Sequence, residues 1–213
     1  MTRAMERKRR SEAALAVRGI PVNPFLSTLP EEEDIIVRSE DEVARRSVAL
    51  AVVAARASGL EPEGALEFLE SRGLWQAASR EEQTFLLNPD PPAVDLVGFA
   101  WRFESLWVLL WALGYIEPLG FPDTLCDTQR AAQIVLGVPF LDFLGNAALR
   151  TPGEILDQVD FIYRCHWATA EARFRDQPTP GNLDPGVVFE RHYALNWLIH
   201  HQDQDWDDVT TET

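Results

Sequence analysis

Nine polar side chains in three largely apolar segments could carry acid–base or ion-pairing chemistry in this chain. They are Arg102 and Glu104; Asp160, Arg164 and His166; and Glu190, Arg191, His192 and Asn196. Ionised groups in such surroundings destabilise a fold unless they are paired, so each of these positions asks for a specific partner. Two chemistries fit the set. In the first, acids and bases of neighbouring helices satisfy one another, for instance Glu104 or Asp160 with Arg191, and thereby fix how the helices dock. In the second, the carboxylates and His166 or His192 converge on a cleft. There an imidazole would act as general acid or base while Arg102, Arg164 or Arg191 clamps an anion. The first asks less of the sequence, because a histidine on an apolar face needs only a hydrogen-bond partner.

A metal is a poor fit. The stretch His200-His201-Gln-Asp203-Gln-Asp205-Trp-Asp207-Asp208 has the alternating carboxylates of a calcium loop, but Asp208 stands where the sharp-turn glycine belongs. The closing glutamate would fall beyond Thr213, so the segment reads as an acidic tail tethered by Trp206. Spacings of the GxSxG, HExxH, GxxxxGK[ST] and GxGxxG kinds are absent, which removes the common hydrolase, zincin and nucleotide-cofactor readings. No cofactor is expected.

The elements that must position these groups are helical. Ser39 to Glu42, Ser79 to Glu82 and Thr151 to Glu154 each have the spacing of a capping box, in which the two residues satisfy one another's orphan backbone donors. They predict helices over about 40–58, 80–87 and 152–175, the last with Pro152 at its favoured first position. Further helices are expected near 5–18, 62–72, 94–113 and 186–200. Loops carrying Pro and Gly fall at 19–30, 88–92, 117–122 and 176–185. At about 100° per residue, Glu104 shares a stripe with Val97, Trp101, Val108 and Trp111, while Asp160 and Arg164 stand at i and i+4 beside the stripe that contains His166. The 186–200 segment is apolar nearly all round and should be central; Arg191 falls on one face of it, His192 and Asn196 on another. No run alternates with period two, so an all-α domain is expected, with room for a short strand near Gly19–Val22. Residues 1–38 are expected to form an N-terminal helix and arm packing on the body, and 39–213 the main helical domain.

Composition narrows the partners. The 213 residues, 46% hydrophobic with seven Trp, suffice for a sizeable core. The net charge of −15 hides a basic start: residues 1–18 hold six basic and two acidic side chains, leaving −19 for the remainder. Nucleic acid is thus a poor partner for the body, and a basic protein a suitable one. The run Arg7-Lys-Arg-Arg10 reads as a solvated helix face. No apolar run reaches the roughly 18 residues needed to span a bilayer. Too short for a secretory core, Ala13–Val17 marks no signal peptide. Cys126 and Cys165, 39 positions apart, are expected as reduced thiols in a cytoplasmic protein. One lysine beside eighteen arginines gives a bacterial leaning. Nothing in the sequence fixes an oligomeric state.

The order of motifs resembles the family called domain of unknown function 4272 over most of the chain. The resemblance is carried by Arg45-Arg46, Trp101-Arg102-Phe-Glu104, Leu109 through Gly114, Arg150 with Glu154 and Asp157, Asp160, Tyr163-Arg164 and His166-Trp167. It continues through Glu190 to Leu198 and Trp206-Asp207. It implies a single domain of bacterial character, with no catalytic residues to carry over. One departure is the terminal Thr211-Glu212-Thr213, where the family pattern has Thr-Asp-Thr. The expected function is a non-enzymatic interaction domain, such as an acidic, immunity-like inhibitor of a basic protein. The alternative is a small-molecule enzyme or anion-binding protein built on the Arg/His/carboxylate cluster.

Overall fold

The computed structural model describes residues 2–213, of which 65% are helical with no strand among them. The helices are α1 (Arg3–Val17), α2 (Glu40–Ala57), α3 (Pro62–Ser71), α4 (Arg80–Leu87), α5 (Ala93–Ala100) and α6 (Arg102–Ala112). Then come α7 (Thr128–Leu136), α8 (Phe140–Gly145), α9 (Pro152–Phe174) and α10 (Pro185–Leu198). All three capping boxes form: Ser39, Ser79 and Thr151 each accept from the backbone N–H three residues on, and Glu42, Glu82 and Glu154 accept from the cap backbone in return. These local bonds explain why α2, α4 and α9 begin where the sequence predicts. Residues 19–22, where a strand was allowed, form an irregular turn and coil after α1.

Helix α10 is the inner element. Every residue from Glu190 to Leu198 is buried, together with Val187 and Val188. One side of α10 packs on α9 and the other on α6; α6 in turn packs on α2, and α1 lies outermost against α9. Val187, Val188, Leu195 and Leu198 are wholly removed from water, each contributing about 1.5–3 kcal/mol relative to exposure. Helix α2 carries Ala44, Ala49, Ala51 and Ala54 in its buried stretch, and these small side chains allow α3, α5, α6 and α7 to approach it closely.

Three local features depart from the sequence reading. The expected continuous helix over 94–113 breaks at Trp101, where Glu104 N–H bonds back three residues to the Trp101 carbonyl oxygen at 2.9 Å. The Trp101 ring lies against Gly186 at the start of α10, so tightly that a Cβ at 186 would stand 2.5 Å from the indole. Residues 123–150, which have little readable pattern, hold the short α7 and α8; Asp127 caps α7 by accepting from Arg130 N–H at 2.9 Å.

The third is the basic run on α1, only half of which is a solvated face: Arg9 and Arg10 are exposed, Arg7 and Lys8 are not. Arg7 is 3% exposed, donates through Nε to Asp157 at 3.1 Å and lies 3.6 Å from Glu32. Lys8 Nζ donates to the Pro24 and Leu26 carbonyl oxygens, both at 2.6 Å. These cations hold α1 and the 23–34 arm onto α9.

The Gly186 contact generates a prediction. A glycine-to-alanine change in a helix ordinarily gains about 0.5–1 kcal/mol, but overpacking typically loses 1–3 kcal/mol. With the indole 2.5 Å away, overpacking should win, so Gly186→Ala is expected to lower the urea-unfolding midpoint. An unchanged or raised midpoint would show that Trp101 moves aside freely.

Candidate functional site

The polar groups of α10 meet partners from four directions and form separate sets. Toward α6, the Glu190 carboxylate accepts from Arg102 Nη1 at 3.2 Å and from Ser105 Oγ at 2.6 Å. The Arg102 guanidinium stacks over Tyr193 at 4.6 Å and Trp206 at 5.7 Å. Burial works against this guanidinium's charge, but Glu190 and its acidic neighbours outweigh it, and the pKa ends above the ordinary value. Next to Glu190, Arg191 Nε lies 3.8 Å from Glu104 Oε2, within ion-pair range but beyond hydrogen-bonding distance. Arg191 Nη1 donates to the Gly120 carbonyl oxygen at 2.8 Å, and Glu104 Oε1 accepts from Cys126 N–H at 2.5 Å. Burial pushes the Glu104 carboxyl upward against that N–H and Arg191, and pulls Arg191 downward. It also raises the Cys126 thiol, with Glu104 adding to the effect, so this sulfur is no activated nucleophile.

Asp160 and Arg164 satisfy each other within α9 rather than reaching Arg191. Arg164 Nε and Nη2 bond the two carboxylate oxygens at 3.0 and 2.7 Å. The pair is almost wholly buried, with Glu12 of α1 a further 3.6 Å contact and the Ser27 carbonyl oxygen accepting at 3.3 Å. His166 and His192 meet Nδ1 to Nδ1 at 2.8 Å, with rings perpendicular. Such a bond needs one ring to donate and the other to accept, so the two imidazoles hold complementary tautomers. Burial pushes His166 down to about 4, assisted by Arg173, and His192 to about 3, assisted by His166 and His201. Asn196 donates through Nδ2 to the Thr210 carbonyl oxygen at 2.8 Å, which ties the C-terminal segment onto α10.

Of the nine sequence candidates, only His192 and Asn196 line a cleft of about 940 Å³. Its walls come from the 27–36 arm, from Val159 and Tyr163 of α9, and from residues 199–213. Asp34, Asp203 and Glu212 stand on its exposed rim, and no Arg or Lys contributes to the lining. At its mouth the backbone takes left-handed φ values at His200 (50°), Gln202 (55°) and Asp203 (55°), a conformation disfavoured by about 1–2 kcal/mol per non-glycine residue. The rim groups come from two distant segments, the arm and the C-terminal stretch, and the only local signal for any of them is the alternating acidic pattern after His200. No set of three or more His, Cys, Asp or Glu side chains among the described residues is grouped to hold a metal ion.

Two ionic contacts lay outside the candidate set, one buried and one half exposed. Arg46 of α2 pairs with Glu82 of α4, both almost wholly buried, and Arg46 stacks on Trp206 at 4.1 Å. Arg46 was legible in principle, three residues after Val43 and four before Leu50 on an apolar face; Glu82 was masked by its capping role. Asp157, which joins Arg7 and Arg10, is the other.

The sequence profile of the family described as Domain of unknown function (DUF4272) matches residues 7–209, nearly the whole chain. The chain belongs to the DUF4272 family. No curated protein and no solved structure matches it. The DUF4272 match therefore spans both the paired charges and most of the cleft, from the arm through His192 and Asn196 to the acidic segment after His200. No described helix is long and apolar enough to cross a membrane.

Two predictions follow from the buried groups. Asp160→Leu strands Arg164 and is expected to cost about 3–5 kcal/mol, whereas Asp160→Leu/Arg164→Met should cost less than the single change. Urea unfolding at pH 7 reads both, and a double variant weaker than the single would contradict the pairing. The unfolded chain protonates both imidazoles below about pH 6.5, while the fold holds them neutral, so stability falls as pH drops from about 6.5 toward 4. Each imidazole contributes up to about 1.4 kcal/mol per pH unit. His166→Gln/His192→Gln should flatten that slope; an unchanged slope would place the acid sensitivity elsewhere.

Proposed function

We propose that this DUF4272 chain is a non-enzymatic cytoplasmic interaction domain that captures a basic protein partner through the acid-rimmed cleft, in the manner of an immunity-like inhibitor. The observation that carries this reading is the charge of the lining: three acidic residues on the rim and no arginine or lysine. Cations near the cleft are turned inward and matched: Arg164 by Asp160, Arg7 by Asp157 and Glu32. The net charge of −15 adds a long-range attraction for a basic surface and disfavours nucleic acid. The alternative, a small-molecule enzyme or anion-binding protein, draws less support. Arg102, Arg164 and Arg191 each face an acidic partner, and His166 and His192 are neutral far below physiological pH.

Fluorescence anisotropy with a labelled nona-arginine peptide tests the reading. Asp34→Asn/Asp203→Asn/Glu212→Gln removes three exposed charges and is expected to weaken binding about tenfold at low salt. Glu63→Gln/Glu67→Gln/Glu70→Gln on α3, an equal change in net charge away from the cleft, should change it less than twofold. Equal weakening by both triples would mean that the acidic surface attracts cations indiscriminately, and would overturn the assignment.

A further inference from the structure

The floor of the cleft differs in chemistry from its rim. His192 is 2% and Asn196 4% exposed, both on α10 and one turn apart, so they point the same way. Asn196 spends its amide N–H on Thr210, which leaves Oδ1 an acceptor with no partner among the described residues. His192 spends Nδ1 on His166, and its Nε2 likewise has no partner among the described residues. When His192 is the Nδ1 donor of the pair, Nε2 is a bare acceptor. Two unpartnered acceptors, on buried residues one turn apart, thus lie beneath a rim of carboxylates.

The walls suit a long stem. Ile35, Val159 and Ile199 offer apolar surface, Ile36 forms an exposed lip, and Tyr163 presents an aromatic ring beside His192, 6.0 Å between ring centroids. Apolar walls, an aromatic face, two deep acceptors and outer carboxylates together match a side chain with a methylene stem and a planar, multi-donor cationic head. We infer that the cleft seats one arginine side chain of the basic partner, its guanidinium donating to Asn196 Oδ1 and His192 Nε2. This rests on the cleft being the docking site, and adds the identity of the anchoring group. The seated guanidinium fixes the tautomers of both histidines: His192 carries its proton on Nδ1 and donates it to His166, whose own proton moves to Nε2. A lysine ammonium has the charge but not the fork that spans two acceptors.

The test uses the full chain, labelled with ¹⁵N histidine, and three small probes: N-acetyl-arginine, N-acetyl-lysine and N-acetyl-citrulline methylamides. Citrulline keeps the stem, the Nε–H and one terminal NH2, but carries an oxygen in place of the other nitrogen and lacks the charge. The arginine probe is expected to bind at least about tenfold more tightly than citrulline and several-fold more tightly than lysine. At saturation the His192 Nε2 resonance should move to that of an unprotonated, hydrogen-bonded nitrogen. Asn196→Leu should abolish the preference for arginine over lysine while leaving unfolding cooperative. Equal binding of citrulline, equal or tighter binding of lysine, or arginine binding that leaves His192 Nε2 unmoved would each overturn the assignment. If nona-arginine binding depends on the rim acids and yet the arginine probe fails any of these criteria, only the anchor assignment falls. If the rim variants have no selective effect, the docking site itself falls.

Discussion

The constraint on which this structure depends is the enclosure of α10. A helix surrounded by protein over its last nine residues gains the burial of their apolar side chains, but each polar group among them must find a partner inside the fold. Between Glu190 and Asn196 the helix brings a carboxylate, a guanidinium, an imidazole and an amide into the interior. Each of those groups has its own partners: Glu190 takes Arg102 and Ser105 of α6, and Arg191 takes Glu104 and the Gly120 carbonyl oxygen. His192 takes His166 of α9, and Asn196 takes the Thr210 backbone. The orientations of α6, α9 and the C-terminal segment about α10 are consequences of satisfying four groups within two turns.

The same logic extends outward. Tyr193, next along α10, donates its hydroxyl proton to the Trp206 carbonyl oxygen, and the Trp206 ring is stacked by Arg46, which pairs with Glu82 of α4. On the other side, Arg164 links α9 to Glu12 of α1 and to the 27–30 segment, while Arg7 returns from α1 to Asp157. Most of the arginines near the core are thereby committed to architecture. The cleft is left with carboxylates on its rim and two uncommitted acceptors on its floor. The proposed preference for a cationic ligand rests on that division between committed cations and available acceptors.

What the sequence revealed follows from how local the physics is. The capping boxes at Ser39, Ser79 and Thr151 were legible because both bonds of each motif close within four residues. Asp160 with Arg164 was legible as an i, i+4 pair, and the enclosure of α10 from its lack of a polar face. Between helices, the sequence named Arg191 as partner for Glu104 or Asp160, and Glu104 is the one that approaches it, at 3.8 Å; the break at Trp101 was not legible, since the indole meets Gly186, eighty-five positions away. The basic run on α1 was half misleading: Arg9 and Arg10 are exposed as read, but charge density alone does not show that Asp157 and Glu32 hold Arg7 inside. The rim of the cleft was invisible for the same reason: Asp34, Asp203 and Glu212 come together only after the C-terminal segment folds back over α10.

The most direct measurement of this account is native-state hydrogen exchange across the helices. If α10 is the enclosed element whose partners define the fold, its amides from Val188 to Leu198 should be the slowest to exchange. They should open only with global unfolding, while α1 and the 199–213 segment exchange through smaller openings. Exchange of the α10 amides through local openings, faster than those of α2 or α9, would contradict it.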